Sequence, residues 1–439
     1  MPANQITGDG WDQLAPDRIT ELVGGGGVRL NRGVSITRLA VHQAAATAVV
    51  LATVAGCGEQ VSGSATRDSP DTSNLDFGNY QTKPRVVGNA KSMTQARAWE
   101  AQRLADYVAV PFEVDPAYVR DARFDSFVPS TQIVLNRKGL GGLIVNDTFD
   151  EVAEDMVAGW LNSWATAPNA EGKQRKLHLS VLMFPDAKTA ESVGPTLEND
   201  DFTFNADNTK VPITKYPKTY AHWRPSVSSI GSWTVHDRYV IFMKIDDETL
   251  APDLPLLTGQ VERALEVQIP LLDKFQPTPS DKLEHVPLDP TGQLGRTLPS
   301  DPGAPVRAQP DGYSTGRGAL SLFAEPTPKI LADFSKHGID LVTYGETVVF
   351  RSATATGANG MYQDGILPSE DKQEVQGPSK LLVPVKCFAI TFKDGNGETK
   401  PSDHLCYMHI DRYVVQIRNR NLQDLRQQVA AQYILLSSR

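Results

Sequence analysis

Read for its alternation of apolar and polar positions, the chain beyond residue 75 divides into strand-like runs and helix-like stripes, in an order that occurs twice. In the first pass the spacing predicts a helix over Thr94–Tyr107, another over Phe149–Trp164, and a strand at Leu177–Met183. That strand runs into "FPDAKTAESV", where Pro185 and Asp186 supply a helix start. Ser226–Val235 and Tyr239–Ile245 read as a hairpin. The helix after it places Leu257, Val261, Ala264, Leu265 and Leu272 on one face.

A second pass from Gly318 repeats this order. "LSLFAEPTPKIL", from Leu320, mirrors "LSVLMFPDAKTA", from Leu179, each read as a strand entering a helix through proline. "HIDRYVVQI" answers "VHDRYVIFM", with Asp411-Arg412-Tyr413-Val414 repeating Asp237-Arg238-Tyr239-Val240. A last helix carries Leu422, Leu425, Val429, Tyr433 and Leu436 on one face. These landmarks predict a divergent tandem duplication, with about 33 extra residues in the second lobe, placed within His337–Ser379. Strands mixed with helices and joined by hairpins give an α+β class with two related lobes. Between them Pro277–Pro310 is rich in proline, a stiff spacer or an arm laid over a domain surface.

One apolar run has no period of its own. "LAVHQAAATAVVLATVA", Leu39–Ala55, follows Arg29, Arg32 and Arg38 and has no acidic residue within it. This is the order of a signal peptide, and its uninterrupted part, Ala44–Ala55, is short of the roughly 20 residues needed to span a bilayer. Val54-Ala55-Gly56-Cys57 then resembles the bacterial lipobox, which implies a diacylglyceryl thioether on Cys57 and cleavage just before it. Small side chains at Ala55 and Gly56 let an extended backbone enter a narrow peptidase cleft, and acyl chains anchor without spanning. Translation is expected to start near Val34, which a GTG codon would encode, because "VGGGGV" and four acidic residues precede a well-formed signal. After Cys57, "GEQVSGSATRDSPDTSN" reads as a flexible tether.

Composition places the rest among folded chains. At 439 residues, 40% hydrophobic and 22% charged, the sequence suggests two domains rather than a disordered segment. A formal net charge of −9 argues against a nucleic-acid partner, and against a basic face for anionic lipid.

Cys387 and Cys406 lie in two strand-like runs on either side of Asn396-Gly397, a strong two-residue turn signal, and at equal spacing from it. Opposed positions in a sheet are near enough for a disulfide, which an exported protein would keep oxidised. A metal alternative would use His404 and Cys406, two apart on one strand face, but it lacks further ligands at recognisable spacing.

Catalytic patterns are sparse. "GYSTG", Gly312–Gly316, fits the G-x-S-x-G string, but the strand before and the helix after that a nucleophile elbow requires are missing, so Ser314 reads as a turn residue. "GLGG", Gly139–Gly142, lacks the rest of a phosphate loop, and His178, His222, His236 and His409 are dispersed. No cofactor is expected.

The stretches "LDFGNYQTKPR" and "EAQRLADYVAVPFEVDP" resemble the opening of a family of two-domain lipoproteins from mycobacteria, nocardiae and relatives. The resemblance implies an envelope lipoprotein with a lipobox, a proline-containing connection like "PLDPTGQLGRTLP" and a smaller C-terminal domain ending in a paired-cysteine hairpin; it supplies no catalytic residues. The expected organisation is a misplaced start or extended n-region at 1–33, a signal peptide at 34–56 and a tether at 57–74. An N-terminal domain at 75–276, a connection at 277–312 and a C-terminal domain at 313–439 follow. The leading functional expectation is a lipid-anchored, non-enzymatic protein on the outer face of the cytoplasmic membrane, binding a small or lipidic molecule in or between its lobes. An interaction or sensor module of an envelope complex comes second, and a hydrolase using Ser314 third.

Overall fold

The computed structural model describes residues 72–122, 132–145, 147–301, 310–323, 328–393 and 397–438. One compact unit contains Pro70–Thr391 and Pro401–Arg439. A separate unit has as its described residues Phe392, Lys393 and Gly397–Lys400. Val54, Ala55, Gly56 and Cys57, the tether up to residue 71, and Asn396 lie outside the described residues. No helix among the described residues is long and apolar enough to cross a membrane.

The first lobe opens with α1 (Met93–Ala105), capped by the Ser92 hydroxyl on the Gln95 amide, and continues through α2 (Pro111–Val114). Strands β1 (Tyr118–Asp121) and β2 (Gln132–Ile133), short α3 (Phe149–Val152), β3 (Ala158–Thr166) and β4 (Arg175–Met183) follow. Helix α4 (Ala187–Thr203) starts at its Asp186 cap and leads to β5 (Thr209–Pro212), β6 (Thr219–Trp223), β7 (Ser229–His236) and β8 (Tyr239–Asp247). Helix α5 (Leu254–Leu272) closes the lobe. The strands form one antiparallel sheet in the order β1-β3-β4-β8-β7-β6-β5, with β2 also on β3.

Alternation along β8 shows why this sheet lies between two helical layers. Ile241, Met243 and Ile245 pack with Leu257, Val261 and Leu265 of α5, whereas Val240 and Phe242 pack with Ala190, Val193 and Leu197 of α4. With both faces covered, β3 is buried at every position. The helix expected over Phe149–Trp164 is therefore only α3, and its second half is the inner strand β3. A strand buried on both sides loses its alternation, and "AGWLNSWAT" then carries no period to separate it from a helix.

Part of the Pro-rich connection is packed against the body. Helix α6 (Ser280–Leu283) and the residues after it bury Leu283, Val286 and Leu288 against Trp99, and Leu298 sits on Ala431 and Leu435.

The second lobe contains β9 (Gly312–Ser314), α7 (Pro328–Lys336), β10 (Ile339–Tyr344), β11 (Val348–Ser352) and α8 (Ala355–Gly365). Then come β12 (Lys372–Val375), β13 (Val385–Lys393), β14 (Thr399–Ile410), β15 (Tyr413–Asn419) and α9 (Leu422–Ser437). Its sheet runs β9-β10-β11-β15-β14-β13-β12, position for position the order of the first lobe. Both lobes turn from the penultimate strand to the last through an aspartate at positive φ, Asp237 at 47° and Asp411 at 51°. In both, an amide at the end of the strand paired with the last one donates across that turn, Phe184 just after β4 to the Arg238 carbonyl and Ser352, the last residue of β11, to the Arg412 carbonyl.

This register corrects one landmark of the repeat. Arg317–Leu322 is a 3-10 segment, not a strand, and the counterpart of β4 is β11. Met183 faces Tyr239 and Arg351 faces Tyr413, so the crossovers span 56 and 62 positions and differ by six. The range expected to hold an insertion, His337–Ser379, instead contains strands β10, β11 and β12 and the crossover helix α8, the partner of α4.

The lobes are joined through Asp106 at the end of α1. Its carboxylate accepts from the Ser314 hydroxyl at 2.6 Å, from the Thr315 amide and hydroxyl at 2.8 and 2.7 Å, and from the Gly316 and Gly318 amides at 3.0 Å. Nearby, Arg317 clasps Glu113 through Nε and Nη2.

Candidate functional site

A cavity of about 320 Å³ lies on the α4 side of the first lobe, where β6, β7 and β8 leave the end of α4. Close approach sets the helix there: a Cβ on Gly194 would stand 2.6 Å from Val235 Cγ2, so α4 rests directly on the sheet. The next turns of α4 then carry Glu198 and Asp201 over β6 and β7.

His222 of β6 is 8% exposed and stands between these two acids. Its Nδ1 is 3.3 Å from Glu198 Oε1, and its Nε2 is 3.9 Å from Asp201 Oδ2. Trp233 Nε1 donates to the same Asp201 oxygen at 3.3 Å. Burial raises the Asp201 carboxyl above its ordinary range, with His222, Trp233 and Lys244 pulling the other way. Phe202 meets the His222 ring edge-on at 5.9 Å. Lys244 is 3.8 Å from Asp246, which is also 3.9 Å from His178. On the rim Phe204 is 63% exposed and Val145 42%, with Trp223 and Arg224 completing that side. A shallower hollow of about 510 Å³ adjoins it and shares Val227, Lys244 and Asp246.

The second lobe shows what the same position looks like with larger apolar side chains. Gly231 pairs with Lys244 on β8, and Leu405 holds the matching place opposite Arg418 on β15. Gly231 pairs with His222 across β6, and the strand facing Leu405 presents Phe388. Leu405 and Phe388 are 5% and 3% exposed, so an apolar pair fills the space that glycine and histidine leave open. A Cβ at Gly231 would meet the His222 ring at 3.4 Å and Asp201 Oδ2 at 3.7 Å, which places any larger side chain in the cavity. The glycine does not have a left-handed backbone, so what it supplies at this position is space.

The register also locates the disulfide. Cys387 and Cys406 are bonded, their Cα atoms 4.1 Å apart, and the His409 amide donates to the Pro384 carbonyl in the register that makes the two cysteines face each other. Cys406 faces Ile417 as Ser232 faces Met243, so the pair occupies the place of Ala221 and Ser232 in the first lobe. With its sulfur bonded, Cys406 is not a metal ligand, and His404 Nδ1 lies 3.1 Å from the Arg420 carbonyl instead.

Ser314 is 2% exposed, ends β9 and donates its hydroxyl to Asp106; among the described residues no histidine is a hydrogen-bond partner of its side chain. One further group was not visible in the sequence. Asp333 of α7, His337 just after that helix and Asp364 of α8 bring three possible metal-ligating atoms within 4.8 Å of one another. Each carboxylate already has a lysine, Lys329 on Asp333 and Lys336 on Asp364, and His337 Nε2 is 2.7 Å from Asp364. A cation there would have to displace both ammonium groups.

None of Glu198, Asp201, Arg224 and Gly231 stands out in the sequence, and His222 reads there as an ordinary strand residue. The signal lay in the comparison of the two halves, a glycine against a leucine, which requires the register of the duplication to be known.

Comparison with known proteins identifies the family. The model described as "Domain of unknown function (DUF7373) N-terminal" matches residues 87–288, and "Domain of unknown function (DUF7373) C-terminal" matches residues 293–439. No curated protein matches the sequence. A solved structure with similarity is the extracellular domain of PknH from Mycobacterium tuberculosis, 12% identical with a TM-score of 0.27 over 40% of this chain and 97% of that one. With its two lobes matched in order by the two halves of one family, the chain belongs to the DUF7373 family.

Proposed function

We propose that this is an exported, lipid-anchored envelope protein without catalytic activity, whose first lobe binds a small molecule in the cavity formed by Asp201, His222 and Gly231. The observation that carries the reading is the difference between the lobes: the duplicated fold closes this position with Leu405 and Phe388 in one copy and keeps it open and polar in the other. A packing defect would be lined by apolar groups and stay dry, whereas this cavity has a buried histidine set between two carboxylates. Ligand cavities combine an apolar wall with a few convergent polar groups, and the rim of Phe204, Val145 and Trp223 over that histidine has this character.

Export and anchoring are supported by the Val54-Ala55-Gly56-Cys57 sequence and by the Cys387–Cys406 disulfide, a bond that persists in oxidising compartments. The second lobe, with its filled cavity and its bridge, then serves as a rigid support.

The test is to express the chain with its own signal in an actinobacterial host, release it in mild detergent, and record denatured and native mass spectra. The denatured spectrum is expected to give a chain beginning at Cys57 with added acyl mass; an unmodified Cys57 contradicts anchoring. The native spectrum is expected to show extra mass lost on denaturation. A bare chain contradicts the carrier reading, and one bound to another protein favours an interaction module.

A further inference from the structure

We infer that the ligand of this cavity is an amphipathic anion, one short hydrocarbon chain with a carboxylate or phosphate head, seated with its head at Arg224 and its chain against Phe204 and Val145. This rests on the ligand-binding reading proposed above and gives it a chemical class.

The charges around the cavity lead to that class. Glu198 and Asp201 are engaged by His222, and Asp201 also by the Trp233 ring N–H. Lys244 and Asp246 face each other. Arg224 is partly buried at the cavity wall and, among the described residues, has no side-chain hydrogen bond or ion pair. A guanidinium in a partly dry wall is stabilised by a planar or tetrahedral oxyanion, which it can grip with two parallel N–H bonds. Carboxylate and phosphate share that chemistry.

The apolar half of the ligand follows from the rim. Phe204 and Val145 are exposed beside a polar cavity floor, and a hydrocarbon chain over them would remove that surface from water. The volume, about 320 Å³, is at the small end for ligand cavities and suits one short chain rather than a two-chain lipid.

The experiment titrates the full chain with decanoate, decyl phosphate and decyltrimethylammonium, following tryptophan fluorescence and confirming stoichiometry by calorimetry. At least one of the two anions is expected to bind at one site and the cation not at all; which anion binds more tightly distinguishes a carboxylate ligand from a phosphate one. Arg224→Gln should weaken anion binding at least tenfold, the loss of a charge-assisted pair. Phe204→Ala, at an exposed position that folding does not need, should weaken it too. Equal or tighter binding of the cation, no effect of Arg224→Gln, or no binding of any of the three overturns the ligand class. Gly231→Leu separates that failure from failure of the cavity itself. If it abolishes binding that Arg224→Gln leaves intact, the cavity stands and the anionic class falls. If it leaves binding unchanged, the cavity falls and the inference with it.

Discussion

Asp201 is the residue whose ionisation the fold constrains most at the cavity. Its carboxyl is raised above the ordinary 3.8 mainly by burial, with Glu198 adding to the shift and His222, Trp233 and Lys244 opposing it. A carboxyl raised on folding favours the neutral form in the folded chain, so its contribution is complete below pH 3.8 and is lost as pH rises through the folded pKa. Asp201→Asn stays neutral and still accepts from Trp233. The variant should therefore match the wild type in thermal stability near pH 3.5 and exceed it at pH 7, read from melting curves across about pH 3.5–7. A variant less stable at pH 7 than at acid pH, relative to the wild type, would show that the ionised carboxylate is the favoured partner of His222. At the same scale Gly231 leaves open, beside the His222 ring, the space that a side chain such as Leu405 would occupy.

At the scale of elements, the paired sheets offer an internal control for the disulfide. The bond links strands across a sequence separation of 19, where the first lobe has only Ala221 and Ser232. Replacing the cysteines by those residues, Cys387→Ala with Cys406→Ser, should leave the second lobe folded but less stable by about 3 kcal/mol, the entropy of an unfolded loop of that length. Denaturant melts of the oxidised wild type and the double variant check this; unchanged stability would mean that the hairpin is held by packing alone. The hairpin was legible because its spacing about Asn396-Gly397 is a local signal, as was the pairing of β7 with β8 about Asp237. Helices α1, α4, α5 and α9 were legible from their faces and caps. Strand β3 was not, because burial on both faces erased its period. The repeat was legible at Asp-Arg-Tyr-Val, where a strained turn keeps its sequence. It was misplaced at Leu320, where a proline after an apolar run imitates a strand entering a helix.

At the scale of the whole molecule, the two lobes meet through a carboxylate with five donors. Removing it in Asp106→Ala takes the carboxylate acceptor from the amides of Thr315, Gly316 and Gly318 and from two hydroxyls, and should cost about 2–4 kcal/mol. Ser314→Ala removes one hydroxyl from the same group and should cost about 1 kcal/mol. Equilibrium unfolding compares them, and equal losses would mean that Ser314 alone carries the junction. The G-x-S-x-G string at Ser314 is thus a junction between lobes, which only the long-range contact with Asp106 reveals. The cavity was hidden for a related reason: Glu198 and Asp201 come from α4, His222 from β6 and Arg224 from the residue after it, and they meet only when the sheet is assembled.

The most direct measurement compares native mass spectra of the wild type and of Gly231→Leu, both produced in the same actinobacterial host and released under the same mild conditions. The wild type should carry a non-covalent mass that Gly231→Leu lacks, with both chains folded by their melting curves. The same mass on both, or none on the wild type, would contradict a ligand site in the first lobe.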